Sequence, residues 1–472
     1  MFDKVKEECG VFGIYSMEKD EDVANITRIG LSCLQHRGEE SCGIAVNDGG
    51  LVYCEKDVGL VNDVFTQDKM SKLPAGKIAI GHVRYSTTGE PRKENAQPIV
   101  KRYAKGNICV VHNGNLTNTE ELRNDLEMHG AIFNSTSDTE VICSIIARER
   151  VKTHSIEDAV INATKYLKGA YSLIVMSSRK LVAVRDPYGF RPLCIGRLGK
   201  DYVFASESCA LDVIGAEFVR DVKPGELISI FNDEMTTRNF RKDEKDGFCI
   251  FEYVYFSRPD SNVEGMNVHK FRELAGKYLA EQAPVEADFV AGVPDSGIDA
   301  ALGYSKYSKI PYDIAFVKSK YIGRTFIQST QSKRKSQVAL KLNPITSTVK
   351  GKKIVLIDDS LVRGTTITRI IKILRRAGAK EIHLRIASPE FLGICYFGTD
   401  VTDKNGLIAT QKTVEEIRQM IDADSLEYLS LENLRKIAEG SNMKGFCEGC
   451  FTGKYPIEVP DEIHKDTFEK IF

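Results

Sequence analysis

In the second half of the chain apolar and polar positions follow one recurring pattern. Ile354, Val355, Leu356 and Ile357 form a short, β-branched-rich apolar run that reads as a buried parallel strand, and the acids Asp358 and Asp359 end it. Ser360, Arg363, Gly364, Thr365 and Thr366 follow. Ile367, Ile370, Ile371 and Leu374 then recur at helical spacing, so a small-residue turn opens into a helix. ADFVAGVPDSG (287–297) has the same order: apolar strand, Pro294 and Asp295, then Ser296 and Gly297 before a helix. AKEIHLRIASP (379–389) predicts another strand. TVEEIRQMIDADSLEYLSLENLRKIAEG (413–440) predicts amphipathic helices, and CIFEYVYFSRPDSNVEG (249–265) an aromatic strand entering a loop, with a helix to follow through Lys270 to Gln282.

The first half alternates differently. A strand-like run follows Cys9, and a helical pattern covers Asp22 to His36. GHVRYSTTG (81–89) reads as a strand entering a turn, HNGNLTN (112–118) as a strand end and turn, and STSDTEVI (135–142) as a helix start. A helix over 156–170 precedes strand-like SLIVMSS, RKLVAVRDPYGFRPL, YVFASES and ELISI. Arg185-Asp186-Pro187 and Arg191-Pro192 read as loop geometry without chemistry. The polar, charge-dense RNFRKDEKDG (238–247) reads as a solvated domain boundary.

At 472 residues the chain is too long for one ordinary core, and two or three domains are expected. Its 65 Lys and Arg nearly cancel its 66 Asp and Glu, so no overall field recruits nucleic acid or an anionic membrane. No apolar run approaches the ~20 residues that span a bilayer, and MFDKVKEE lacks the apolar segment of a secretory signal. A cytoplasmic small-molecule enzyme is the expectation. There, twelve cysteines are thiols, ligands or catalysts rather than disulfides.

Cys9 stands behind eight charged, dispensable-looking residues. Its ordinary reading is a buried strand cysteine. The sharper one is that a propeptide, 1–8, is removed, leaving an α-amine whose reference pKa of roughly 7.7–8.0 suits it to activate the thiol. Singly, Arg84 reads as a surface ion pair, Asn113-Gly114 as a hairpin turn and Asp138 as a helix cap. Together with RGEES (37–41), these motifs in this order resemble the glutaminase domain of class II amidotransferases, over about 240 residues. The resemblance implies an N-terminal-nucleophile hydrolase fold, an α+β αββα domain of two packed sheets between helices. It implies that Cys9 attacks the side-chain amide of glutamine, that the Asn113 amide and the Gly38 N–H meet the oxyanion, and that Arg84 and Thr87 take the substrate carboxylate. Asp138 would pair with its ammonium, and Gly114 would leave room for it. His112 reads as a packed neighbour.

The turn after Asp358-Asp359 is suited to an anion, because free N–H groups and a helix dipole favour phosphate and Gly364 allows close approach. The two carboxylates suit sugar hydroxyls or a divalent cation. This stretch resembles the phosphoribosyl pyrophosphate (PRPP) loop of type I phosphoribosyltransferases. The resemblance puts Asp358 and Asp359 on the ribose hydroxyls and Mg2+, and residues 360–366 on the 5′-phosphate. Ser296 then belongs to the pyrophosphate-side loop and helps hold magnesium; the ordinary reading there is a capped strand-to-helix turn. The basic stretch 316–344 resembles the flap that closes over PRPP, with Lys318, Arg324 and Lys341 as candidates for the diphosphate. Ser329 stands where that family usually has proline. Otherwise the stretch reads as an exposed loop with a solvated Lys333-Arg334-Lys335 run.

Cys447 and Cys450 form a C-x2-C pair, and Cys249 and Cys395 complete a four-thiolate set that suits zinc or an iron–sulfur cluster. End to end the chain resembles the iron–sulfur subgroup of the glutamine phosphoribosylpyrophosphate amidotransferases. That resemblance implies an α/β chain with a glutaminase domain (9–240) and a phosphoribosyltransferase domain with a cysteine-containing extension (241–472). It implies a [4Fe-4S] cluster on the four cysteines, with zinc the alternative, purine-nucleotide feedback and a homotetramer. It also implies the first committed step of purine synthesis, in which ammonia from glutamine displaces pyrophosphate from PRPP to give 5-phosphoribosylamine.

Overall fold

The computed structural model describes residues 9–17, 21–85, 92–232, 234–242, 245–318, 342–401 and 403–460. The central strands of the first half are buried on both faces, and that follows from what covers them. In β1 (Gly10–Tyr15), Phe12 and Ile14 pack beneath helix α1 (Val23–Cys33), whereas Val11 and Tyr15 face a second sheet. β1 lies inside a seven-stranded sheet between the strand Asp201–Ala205 and β3 (Ile78–Arg84), with β2 (Ser41–Asp48) next to β3. The second sheet has six strands, among them β4 (Gly106–Leu116) and β5 (Gly169–Ser177). Its outer face is covered by α2 (Asp138–Lys152) and α3 (Ile156–Thr164) through Val141, Ile145, Ala159 and Val160. Helix, sheet, sheet, helix is therefore the layer order, as the resemblance implied.

The second half is organised on four parallel strands: β6 (Phe289–Gly292), β7 (Lys353–Asp358), β8 (Glu381–Ile386) and β9 (Ser425–Tyr428), in that order. Val290, Val355 and Ile357 pack with Phe271, Ala275 and Ala300 of α4 (Val268–Gln282) and α5 (Ile298–Ser308) on one face. Phe289, Ile354 and Leu356 pack with Ile367, Ile370 and Leu374 of α6 (Thr365–Arg376) on the other. With both faces covered, β6 and the Ile354–Ile357 stretch of β7 read as continuous apolar runs. Helices α4 and α5 meet backbone to backbone. A Cβ at Gly276 would stand 1.8 Å from the Ala300 carbonyl oxygen, and one at Gly303 1.8 Å from that of Glu273.

Three expectations change. Residues 413–440 contain a strand, β9, because Leu426 and Tyr428 alternate inward and complete the parallel sheet. The aromatic stretch after Cys249 is extended only at Phe248–Cys249 and then makes a π-helical turn over Glu252–Phe256, which puts Phe251 edge-on to Phe391 and Phe256. Asn113 and Gly114 lie inside the eleven-residue β4 rather than in a turn. The boundary near 238–247 is clamped: Arg241 pairs with Asp246 at 2.8 Å, and the Gly247 N–H donates to the Tyr188 carbonyl. Among the described residues no helix is long and apolar enough to cross a membrane.

Because both glycines of the α4–α5 contact face backbone rather than a movable side chain, Gly303→Ala is expected to destabilise the fold. The loss should reach at least about 1–3 kcal/mol and be read as a lower thermal midpoint.

Candidate active sites and the cysteine cavity

Cys9 immediately precedes β1, is 6% exposed, and its Sγ lies 3.6 Å from the Tyr85 carbonyl. Strand register brings its companions near. Gly10 lies opposite Val83, and Ser41 opposite Arg84, so the ends of β1, β2 and β3 meet. Gly38 is pressed against this corner, since a Cβ there would stand 2.6 Å from the Arg84 backbone. Its N–H donates to the Gln35 carbonyl at 3.2 Å, closing a short 3-10 turn that an incoming oxyanion would have to share. The His82 ring Nε2 lies 2.9 Å from the His112 carbonyl and ties β3 to β4 across the two sheets.

Asn113 sits on that strand, fully buried, and neither amide atom has a hydrogen-bond partner among the described residues. A buried amide left unsatisfied is costly, and such atoms mark places where a ligand completes the set. Gly114 beside it has φ +141°, and a Cβ there would stand 2.1 Å from the Ala170 carbonyl oxygen. Asp138 opens α2 at 6% exposure, accepts the Leu116 N–H at 3.2 Å, and faces His112 Nδ1 at 3.5 Å. Burial pushes its carboxyl up, but His112, that N–H and Arg84 outweigh burial and hold it below the usual carboxylate range. Arg84 is 3% exposed, not a surface ion pair. Thr87 lies outside the described residues.

The largest group that sequence reasoning missed is a set of buried charges. Arg37 is 1% exposed and donates through Nε to the Cys9 carbonyl at 2.9 Å. Its Nη1 donates to Glu207 at 2.7 Å and to Glu252 at 3.0 Å, and its Nη2 to Glu252 at 2.7 Å. Glu207 also meets His36 Nε2 at 2.7 Å and accepts the Arg258 N–H and the Ser261 hydroxyl. Burial raises its carboxyl, yet His36 and Arg37 pull it well below the usual range. Arg185 and Arg191, read as loop residues, are fully buried. Arg185 pairs with Glu264, and Arg191 donates to the Phe397 carbonyl at 2.7 Å. Their only sequence signal was an arginine beside a proline or an aspartate.

In the parallel sheet the loops after β6 and β7 emerge side by side at the C-terminal edge, where Gly292 pairs with Ile357. Asp358 and Asp359 are 2% and 1% exposed. Asp359 accepts the Ser360 hydroxyl and, from the neighbouring loop, the Ser296 hydroxyl. Lys318 reaches Asp295 of that same loop. Gly364 takes φ +79° as the residue before α6, with Arg363 and Thr365 exposed and Thr366 buried at the mouth of the turn. The residues predicted for ribose, metal and phosphate therefore gather on one edge. Arg324 and Lys341 lie outside the described residues.

Cys249, Cys395, Cys447 and Cys450 line one cavity, with Phe251, Phe391 and Arg191 in its wall. Cys249 and Cys447 are paired in register on two short parallel strands, and the Cys450 carbonyl accepts the Leu392 and Gly393 N–H groups. Among the described residues no group of three or more His, Cys, Asp or Glu side chains is gathered for a single ion; the four thiols surround a shared space instead. Burial pushes the Cys447 thiol up to about 12 and Cys450 well above the ordinary range, so cationic metal is what would hold them as thiolates.

His82 yields a pH prediction. Burial drives its imidazolium down to about 3 from the ordinary 6.5. Below pH 6.5 the unfolded chain takes up a proton that the folded chain refuses, so stability falls as pH falls through the window from 6.5 to about 3. The slope is about 1.4 kcal/mol per pH unit, and His82→Gln should flatten the thermal midpoint between about pH 6.5 and 5.

Residues 82–213 match the model of a glutamine amidotransferase domain and residues 266–387 that of a phosphoribosyl transferase domain. The amidophosphoribosyltransferase of Methanocaldococcus jannaschii is 48% identical over 478 residues, with 98% of this chain and 99% of that protein covered. The Bacillus subtilis amidophosphoribosyltransferase is 46% identical over 460 residues, covering 96% and 95%. The solved structure of the B. subtilis glutamine PRPP amidotransferase complexed with ADP and GMP superposes with a TM-score of 0.90 at 45% identity, over 96% of this chain and 99% of that one. With an N-terminal-nucleophile layer order, a parallel sheet bearing paired carboxylates at its C-terminal edge and relatives of this similarity along nearly its whole length, the chain belongs to the amidophosphoribosyltransferase family.

Proposed function

We propose that the chain hydrolyses glutamine at Cys9 and transfers the ammonia to C1 of PRPP, giving 5-phosphoribosylamine, glutamate and pyrophosphate at the entry to purine synthesis. The observation that carries this reading is the presence, in one chain, of a buried Asn113 amide with no hydrogen-bond partner among the described residues and a paired-carboxylate turn at a parallel-sheet edge.

Removal of residues 1–8 frees the Cys9 α-amine as the base for its own thiol. The thiolate adds to the substrate amide carbon while Asn113 and the Gly38 N–H receive the oxyanion. Its collapse breaks the C–N bond as the proton passes to departing ammonia, and water then hydrolyses the γ-glutamyl thioester to glutamate and the free Cys9 thiol. Arg84 and Thr87 hold the carboxylate of glutamine, Asp138 holds its ammonium, and Gly114 leaves space that a side chain would fill. In bulk water ammonia is captured by a proton and loses its lone pair. An apolar passage between the two halves therefore keeps it nucleophilic until it reaches C1. There it displaces pyrophosphate with Asp358 and Asp359 on the ribose hydroxyls; Mg2+, when bound, would be held by Asp358, Asp359 and Ser296 and would neutralise charge on the departing diphosphate. Residues 360–366 grip the 5′-phosphate, and Lys318, Arg324 and Lys341 take the diphosphate.

The four cysteines fit a [4Fe-4S] cluster: four thiols around one aromatic-walled cavity are the donor set that such a cluster takes. When bound, the cluster would cross-link three distant segments of chain, those carrying Cys249, Cys395 and the Cys447–Cys450 pair. The enzyme is read as a cytoplasmic homotetramer under purine-nucleotide feedback, and the feedback part of that reading is supported by the ADP and GMP of the related B. subtilis structure.

Two experiments test this. In mature protein verified by N-terminal sequencing, Cys9→Ala should abolish glutamine-dependent synthesis and keep ammonia-dependent synthesis, while Asn113→Ala lowers the glutamine-dependent kcat about 10²–10³-fold. Loss of both nitrogen sources in Cys9→Ala would sink the division of labour. For the cysteines, anaerobically purified protein should contain iron and sulfide near four of each per chain; stoichiometric zinc is the opposing result.

A further inference from the structure

Arg37 connects the nucleophile's backbone to the other half of the molecule. Its guanidinium is enclosed on all sides: Nε points at the Cys9 carbonyl, and the fork is shared by Glu207 of the first half and Glu252 of the second. All three side chains are shut off from solvent. Glu252 contributes both oxygens, which fixes the guanidinium plane as one carboxylate oxygen does not. It is itself held by the Ser257 hydroxyl at 2.8 Å, within the π-helical turn that departs from regular helix at this point. Arg37 also immediately precedes Gly38. One guanidinium therefore bears on the residue that carries the thiol and, along the chain, on the one whose N–H meets the oxyanion.

We infer that Glu252 is a positioning residue for the reaction at Cys9: by orienting Arg37 it makes the geometry of the amide-hydrolysing corner conditional on docking of the second half. The inference rests on the reading of Cys9 as nucleophile and adds a dependence to it. An isolated first half would lack Glu252, one of the two carboxylates described on the Arg37 fork, and the guanidinium that donates to the Cys9 carbonyl would be less firmly oriented. Glu252 touches no reacting atom, so its effect belongs in turnover rather than in glutamine affinity.

The test uses the full-length mature protein. Glu252→Gln keeps the size and removes the charge. Glutamine-dependent kcat is expected to fall between about tenfold and a hundredfold, with the glutamine KM within about threefold and ammonia-dependent synthesis within about twofold of the parent. Because one buried charge left alone can prevent folding, the paired variant Arg37→Met with Glu252→Met removes both. It leaves Glu207 held by His36, the Arg258 N–H and Ser261, and Arg191, which lies 3.5 Å from Glu252, held by the Phe397 carbonyl. Its thermal midpoint should return toward the parent while glutamine-dependent kcat stays low. A glutamine kcat within about twofold of the parent in Glu252→Gln, a change confined to KM, or recovery of kcat together with stability in the paired variant would each overturn the inference. Absence of ammonia-dependent synthesis in the parent would instead strike the reading of the whole enzyme.

Discussion

A buried guanidinium shared by two carboxylates from different halves of the chain is the constraint on which the rest depends. Arg37, Glu207 and Glu252 are each withdrawn from water, and burying charge costs several kcal/mol per ion unless geometry and hydrogen bonds repay it. Repayment here is complete at the guanidinium: the fork meets both carboxylates and Nε meets the Cys9 carbonyl. The same network runs outward through His36, Arg258 and Ser261 on Glu207, and through Ser257 on Glu252. Such an arrangement tolerates little displacement, which is why it specifies how the halves sit together rather than merely gluing them.

A second contact region lies beside it. Asn115, two residues beyond Asn113, donates to the Tyr396 carbonyl, and Arg191 donates to that of Phe397, whose ring stacks on Phe190 at 4.3 Å. A Cβ at Gly398 would meet the Gly114 backbone at about 3.4 Å. The loop that follows Cys395 therefore rests on the strand carrying Asn113, one of the two candidate oxyanion residues. Whatever the cysteine cavity holds is mechanically close to the amide-hydrolysing corner, through packing and main-chain hydrogen bonds.

Both candidate sites also obey one rule of placement. Several of their polar residues stand at strand ends, Cys9 before β1, Arg84 at the end of β3 and Asp358 at the end of β7, while Asn113 lies within β4 and Asp138 opens α2. Rigid, doubly covered sheets supply the precision, and the loops supply the groups.

Much of this was legible in residue order, because the signals are local. Strand, acids, small-residue turn and helical periodicity over 354–374 describe a βα unit within about twenty residues, and β7 and α6 follow that description. The C-x2-C pair likewise needs only spacing. Elements that depend on a distant neighbour were not legible. The SLEY segment became a strand because β8 was there to pair with it, and Asn113-Gly114 became strand interior because β5 runs alongside. Buried charges were the hardest. Arg37 and Glu252 are 215 residues apart, and nothing in either neighbourhood says that the other will arrive. By itself the sequence determined which short segments could form and which groups they would carry. Only the tertiary structure decided which charges leave water together, because that depends on partners brought close by packing rather than by spacing.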